Sequence, residues 1–119
     1  MDTRAKGKTG EDLAASYVSE HGGKVIQRNF YFKGGEIDLI AYDRWLGENY
    51  LCFIEVKARM NTDSGYPEEA VGLAKQKKIV KGAKSYLNYK GMSYNIPIRF
   101  DVISVLDGEV KWIKNAFTA

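Results

Sequence analysis

The chain has 119 residues, which suits one domain and leaves little room for a second. A hydrophobic fraction of 45% and a charged fraction of 28% are ordinary for a soluble globular protein, and the net charge of +3 permits a phosphate-bearing partner without requiring one. The single cysteine, Cys52, excludes an internal disulfide, and no apolar run is long enough for a signal peptide or a membrane span. We therefore predict one cytoplasmic domain over residues 1–119, with a flexible basic segment at 1–8 and no membrane partner.

The first half of the chain predicts one helix and three strands. Thr9, followed three residues later by Asp12, forms a weak capping box for a helix from about Glu11 to His21. Runs of β-branched and aromatic residues then predict strands at 24–32, 36–42 and 50–58, with residues 43–49 as a hairpin connection. The third strand has apolar groups on both faces, which is typical of a central strand.

The second half of the chain predicts a helix and two more strands. A polar loop at 61–67 leads into a helix from Pro67 or Glu68 to Asn88, with Gln76 at the start of its inward apolar stripe. Strands at 98–106 and 110–117 follow, joined by the turn signal Asp107-Gly108. The order helix, three strands, helix, strand, strand predicts an α/β fold, with one mixed sheet flanked by helices.

Charged residues occur in strands whose other residues indicate a core. Glu55 and Lys57 are two apart, so they share a strand face, and the hairpin brings Asp38 of the neighbouring strand close to them. Burying such charges costs several kcal/mol per ion unless they are paired or bind a metal. Carboxylates are suitable ligands for Mg²⁺ or Mn²⁺, and a lysine can stabilise negative charge that develops on phosphorus. Helical spacing turns Glu11 toward the same interior.

The pattern Asp38…Glu55-Val56-Lys57 resembles the Asp…Glu-x-Lys motif of the restriction-endonuclease-like superfamily. Over residues 7 to 106 the chain also resembles the small bacterial YraN family of endonuclease-like proteins, whose fold is similar to archaeal Holliday-junction resolvases. The motifs that carry this resemblance are Gly10-Glu11, Arg28-Asn29, Gly35-Glu36-Ile37-Asp38-Leu39-Ile40, Phe53-Ile54-Glu55-Val56-Lys57-Ala58-Arg59, Lys75-Gln76 and Arg99-Phe100-Asp101.

The resemblance implies a restriction-endonuclease-like core and a role for each matching residue. Asp38 and Glu55 would be metal ligands, and Glu11 would reach the metal directly or through water. Lys57 would be the catalytic lysine, and Gln76 matches a glutamine that some relatives place on the helix after the motif. The superfamily's aspartate often follows a proline, whereas Ile37 precedes Asp38 here. The implied activity is Mg²⁺- or Mn²⁺-dependent cleavage of structured or branched DNA.

Several other residues are candidates for nucleic-acid contacts. Arg59 shares a strand face with Lys57, Lys75 lies near the motif, and Lys8 belongs to the basic start of the chain. Tyr66 could stack on a base. Because a small nuclease that cuts two strands usually works as a symmetric dimer, we expect a homodimer by analogy alone.

Two other readings compete with the enzyme. The chain could be a nucleic-acid-binding or adaptor module with a vestigial nuclease site, because fold does not fix function. It could also be a protein-interaction domain in which these charges form structural ion pairs, since a Glu-x-Lys pattern alone is usually a solvated strand face. In the same way, Arg99 and Asp101, two apart on one strand, are expected simply to pair with neighbours.

Overall fold

A five-stranded sheet forms the centre of the structure, with one helix packed on each face. The computed structural model describes residues 9–59 and 71–119. Its strands lie in the order β1-β2-β3-β4-β5; β3 and β4 pair in parallel, and the other neighbours are antiparallel. The elements are α1 (Gly10–Glu20), β1 (Lys24–Phe32), β2 (Gly35–Trp45), β3 (Glu48–Arg59), α2 (Leu73–Lys90), β4 (Ile98–Leu106) and β5 (Glu109–Phe117). The predicted α/β fold is confirmed, and it is compatible with a restriction-endonuclease-like core.

Helix α1 begins with the predicted capping box and lies unusually close to the sheet. The Thr9 hydroxyl accepts a hydrogen bond from the Asp12 N–H at 3.1 Å, and the Asp12 carboxylate accepts one from the Thr9 N–H at 3.4 Å. Gly10 meets β3 so closely that an added Cβ would collide with the Cβ of Ala58. A glycine is therefore needed there, and the contact brings the first turn of α1 to the end of β3.

Helix α2 covers the opposite face and is shorter at its start than predicted. Gly72 is extended and caps the helix, so a continuous helix from residue 67 or 68 is wrong, although those two residues lie outside the described ranges. Gly82 faces Phe32 so closely that a Cβ would collide with the ring. Across residues 9–59 and 71–119, no helix is both long and apolar enough to cross a membrane.

The predicted hairpin between β2 and β3 is confirmed, but its connection is a two-residue turn, so the predicted bounds of 43–49 are wrong. Trp45 pairs with Glu48, and both turn residues, Leu46 and Gly47, have positive φ angles of 50° and 80°. This geometry is that of a type I′ hairpin. Asp43 was one of the polar residues that suggested a longer connection, but its carboxylate is buried with basic partners.

Those partners belong to a buried charge cluster, defined here as Asp43, Arg99, Asp101 and Lys114. The Arg99 guanidinium and the Asp101 carboxylate are both fully buried and form a two-pronged ion pair, with bonds of 2.8 and 2.7 Å. Arg99 and Lys114 each approach Asp43 to 3.0 Å. The expected pairing of Arg99 with a neighbour is confirmed, and the cluster ties together β2, β4 and β5.

Candidate active site

Asp38 lies where the regular pleat of β2 breaks. Leu39 packs in the cluster under α1 and Ile40 in the cluster under α2, yet Ile37 also packs under α2, so strict alternation fails around Asp38. The β2–β3 pairing ends at Leu39 and Ile54, and the Asp38 carboxylate accepts a hydrogen bond from the Val56 N–H at 2.8 Å. The Asp38 side chain is thus held between two strands at their open end.

The carboxyl groups of Asp38 and Glu55 are in direct contact, as the hairpin spacing predicted. Glu55 is only 5% exposed and lies on the α2 side of β3, in alternation with Phe53. The pKa of Asp38 is raised to about 7, chiefly by burial and next by the hydrogen bond with Glu55, while the bond from the Val56 N–H opposes the rise. The raised pKa means that Asp38 keeps its proton to a higher pH than an isolated aspartate would.

Two lysines approach this pair from the α2 side. Lys57 Nζ lies 3.5 Å and Lys75 Nζ 3.4 Å from Glu55 Oε2. The Lys57 side chain is 24% exposed and the Lys75 side chain 43%, so both retain access to solvent and to a bound anion. Glu55, Lys57 and Lys75 were predicted to lie near one another, and the structure places both lysines beside Glu55.

Glu11 lies on the other side of the sheet, in a network that centres on Asn29. The Asn29 amide donates to Glu11 at 2.8 Å and to Glu36 at 3.1 Å. Asn29 adopts a left-handed backbone with φ of 53°, which asparagine tolerates better than most residues. The Glu11 charge contributes only weakly to the raised pKa of Asp38. Sequence reasoning did not assign Asn29 a role, although a polar Arg28-Asn29 pair within an apolar strand was a usable signal.

An open cleft of about 670 Å³, which we call the site cleft, connects Glu11, Asn29 and Asp38 to solvent. Asp38 lines the site cleft, whereas Glu55 and Lys57 lie on the other face of β3, which they share with the core residue Phe53. Arg28 at its rim pairs with Asp12 at 2.7 Å. The lining of the site cleft includes Glu11, Arg28, Asn29, Tyr31, Asp38 and Val56.

The remaining predicted site residues lie at or beyond the edge of what the structure describes. The Gln76 side-chain amide donates to the Val71 carbonyl at 3.1 Å and so fastens the start of α2. Its catalytic role stays a prediction. Lys8, Tyr66 and the side chain of Arg59 lie outside the described residues, so their nucleic-acid contacts stay predictions as well.

The donor set suits a hydrated Mg²⁺ or Mn²⁺ ion bound by two carboxylates. The pKa of Asp38 is raised by burial and by the neighbouring Glu55, so a bound cation would favour its ionised form, and Mg²⁺ commonly uses one or two carboxylates and keeps several waters. Among residues 9–59 and 71–119, no three or more His, Cys, Asp or Glu side chains are grouped to hold a metal. The role of Glu11 as a third ligand therefore stays a prediction.

Comparison with known proteins places the chain in a family. A model described as "Uncharacterised protein family UPF0102" matches residues 10–105. The chain belongs to the UPF0102 family. The predicted resemblance to the YraN family, which is the same family, is thereby confirmed.

Individual UPF0102 proteins match the chain over nearly its whole length. A UPF0102 protein of Lachnoclostridium phytofermentans is 42% identical over 119 residues, covering 100% of this chain and 98% of the relative. One of Clostridioides difficile is 43% identical, with coverage of 98% and 100%, and one of Chlorobium phaeobacteroides is 44% identical, with coverage of 92% and 83%. The chain therefore corresponds to most or all of each of these UPF0102 proteins.

In metal-free buffer, Asp38→Asn is expected to stabilise this UPF0102 protein near pH 8 but not near pH 4. The pKa of Asp38 rises from 3.8 to about 7 on folding, so between these values the folded chain holds a proton that the unfolded chain has released. Raising the pH through this window costs the wild type on the order of 4 kcal/mol, since the pKa rises by about three and each pKa unit corresponds to about 1.4 kcal/mol. Asparagine cannot ionise, and its amide oxygen can still accept from the Val56 N–H.

Urea unfolding in EDTA across this pH range measures the effect. The free energy of unfolding of the wild type should fall relative to that of Asp38→Asn as the pH rises. A difference that stays constant from pH 4 to pH 8 would contradict the raised pKa.

Proposed function

We propose that the chain is a metal-dependent endonuclease that hydrolyses phosphodiester bonds in structured or branched DNA. The observation that carries this proposal is the contact between the Asp38 and Glu55 carboxyl groups at the open end of two adjacent strands, with Asp38 bordering a solvent cleft. Such a pair destabilises the metal-free fold, and strongly perturbed ionisable groups in clefts are enriched at functional sites. The Asp…Glu-x-Lys pattern adds the same reaction class by resemblance.

Four side chains, those of Asp38, Glu55, Lys57 and Lys75, have separate roles in the proposed reaction. Asp38 and Glu55 would hold the ion, which when bound polarises the phosphodiester and lowers the pKa of an attacking water. Lys57, beside Glu55 at 3.5 Å, would donate to the phosphate oxygens as negative charge develops on them. Lys75, more exposed and on α2, would neutralise a neighbouring phosphate. The homodimer expected by analogy stays a prediction.

A nucleic-acid-binding module with an inactive site is the second candidate. The observation that favours it is that Lys57 and Lys75 both approach the same oxygen of Glu55, so this carboxylate has cationic partners without an ion. Such a module would bind DNA through basic side chains, and its affinity would fall with salt but would not depend on metal.

The two candidates differ in a cleavage assay with the full chain. Labelled four-way junction, flap and linear duplex DNA are incubated with Mg²⁺, with Mn²⁺ or with EDTA. The nuclease proposal expects metal-dependent cleavage of the branched substrates that is lost in Asp38→Asn. An intact substrate panel together with metal-independent, salt-dependent binding would instead establish the binding module. Cleavage that persists in Asp38→Asn would contradict the assignment of Asp38 to the active site.

A further inference from the structure

A second open cleft lies along β1 and shares two lining residues with the site cleft. It has a volume of about 530 Å³, and we call it the edge cleft, defined by Asn29, Tyr31, Phe32, Lys33, Ser85 and Tyr89. Asn29 and Tyr31 line both clefts. Because β1 is an edge strand, the two clefts together extend from Tyr89 on α2, past the sheet edge, to Asp38.

The edge cleft exposes two aromatic rings that the core does not use. Tyr31 and Tyr89 are each 73% exposed, an unusual fraction for large amphipathic side chains. Tyr89 is backed by Phe30, with ring centroids 6.2 Å apart, so its position has support from the core below. The Tyr31 ring is exposed at the rim, where the nearby Glu36 carboxylate raises the pKa of its hydroxyl. Supported, outward rings are suitable platforms for stacking.

Positive charge accompanies these rings. Lys33 lines the edge cleft, and Lys90 Nζ lies 5.4 Å from the Tyr89 ring centroid. Lys81 extends from α2 toward Gly34 at the turn between β1 and β2. The acidic groups at the junction of the two clefts are already engaged: Asp12 pairs with Arg28, and Glu11 and Glu36 accept from Asn29. The groove thus presents stacking surfaces beside cations.

The backbone of β1 is poorly suited to pairing with a strand of another protein. A register shift lies between Val25 and Gln27, and Asn29 is left-handed. Such irregularities interrupt the regular row of donors and acceptors that an added strand requires. A bent path around a sheet edge is also unsuited to duplex DNA, which is stiff over about 50 nm. An unpaired strand is flexible enough to follow it.

We propose that the edge cleft binds a single-stranded DNA segment, with bases stacked on Tyr31 and Tyr89, and leads it toward Asp38. This inference rests on the proposed function for the nature of its ligand, and it narrows the substrate to DNA with an unpaired segment next to the bond that is cut. Aromatic platforms beside basic residues are the usual means of holding single strands without sequence preference.

Binding without metal tests the edge cleft separately from catalysis. Fluorescence anisotropy in EDTA at low salt compares a labelled oligothymidylate with a blunt duplex of equal length. We expect tighter binding of the single strand, and Tyr31→Ala and Tyr89→Ala should each weaken it about tenfold, because one stacked base contributes about 1–3 kcal/mol. Tyr31→Phe and Tyr89→Phe should bind like the wild type, since the ring is retained.

Tyr94→Ala is the matched control, because Tyr94 is 56% exposed but borders a different cavity, beside Ile98 and Phe117. It should leave the affinity for single strands unchanged. Circular dichroism verifies that each variant is folded. Folded Tyr31→Ala and Tyr89→Ala proteins that bind the single strand like the wild type, or a wild type that prefers duplex, would overturn the proposal.

The outcomes for the edge cleft and for the nuclease are distinguishable. If single strands bind in a way that depends on the two rings but no substrate is cleaved, the edge-cleft proposal is supported and the nuclease proposal is contradicted. If cleavage requires Asp38 but neither cleavage nor single-strand binding changes in Tyr31→Ala and Tyr89→Ala, the nuclease proposal is supported and the edge-cleft proposal is overturned.

Discussion

Lys57→Met is expected to lower the rate of DNA cleavage by about 10²–10³-fold under single-turnover conditions. The Lys57 ammonium is the cation on β3 itself, two residues beyond the Asp38–Glu55 contact, so its position is fixed by the same strand as Glu55. Methionine keeps most of the length of the side chain but removes the donor and the charge. The free energy of unfolding should change by about 1 kcal/mol or less, because the ion pair is partly exposed.

Lys75→Met is the matched control for this change. Lys75 Nζ is equally close to Glu55, at 3.4 Å, but the side chain is more exposed and extends from α2. Its loss should mainly weaken DNA binding, with a change in the single-turnover rate at saturating protein of less than about tenfold. A larger rate loss in Lys75→Met than in Lys57→Met would show that the catalytic role has been assigned to the wrong lysine.

Asp101→Asn is expected to lower the free energy of unfolding by about 3–5 kcal/mol. The Asp101 carboxylate is fully buried and accepts from Arg99, from the Trp112 indole N–H at 2.8 Å and from the Asn115 N–H at 2.9 Å. An asparagine would turn an N–H₂ group toward one of these donors and would leave the buried Arg99 guanidinium with one fewer counter-charge. Urea denaturation at neutral pH measures the loss.

Asp107→Asn makes the same chemical change at the exposed turn between β4 and β5 and should cost less than about 0.5 kcal/mol. Its φ of 50° is one that asparagine also adopts readily. The double variant Arg99→Met/Asp101→Leu should be more stable than Asp101→Asn, because it removes both central charges together. Equal losses in Asp101→Asn and Asp107→Asn would contradict the energetic importance of the cluster.

The contact between Asp38 and Glu55 was predictable because it depends on local rules. A short hairpin makes the two strands antiparallel neighbours, and one further step beyond the last pair, Leu39 and Ile54, brings Asp38 next to Glu55. The capping box of α1 is equally local, since Thr9 and Asp12 are three residues apart. The helices and strands themselves follow from apolar periodicity in the same way.

Features that depend on distant partners could not be predicted. Asp43 looked like a loop residue because the side chains that neutralise it, Arg99 and Lys114, come from strands much later in the chain. Asn29 looked like an ordinary strand residue because its role needs a left-handed backbone and two acceptors on different elements. The break in the pleat at Asp38 could not be predicted either, because it depends on which helix Ile37 and Leu39 pack against.

The order of the strands has a consequence for how the molecule forms. β1, β2 and β3 pair with their sequence neighbours through short turns, whereas β4 joins β3 only after the long crossover through α2. Near-neighbour pairings close faster than distant ones, so the three-stranded meander is expected to form early in folding. Asn29, Asp38 and Glu55 all belong to that meander. The Asp38 and Glu55 carboxyl groups would therefore meet before β4 brings Arg99 and Asp101 into the sheet.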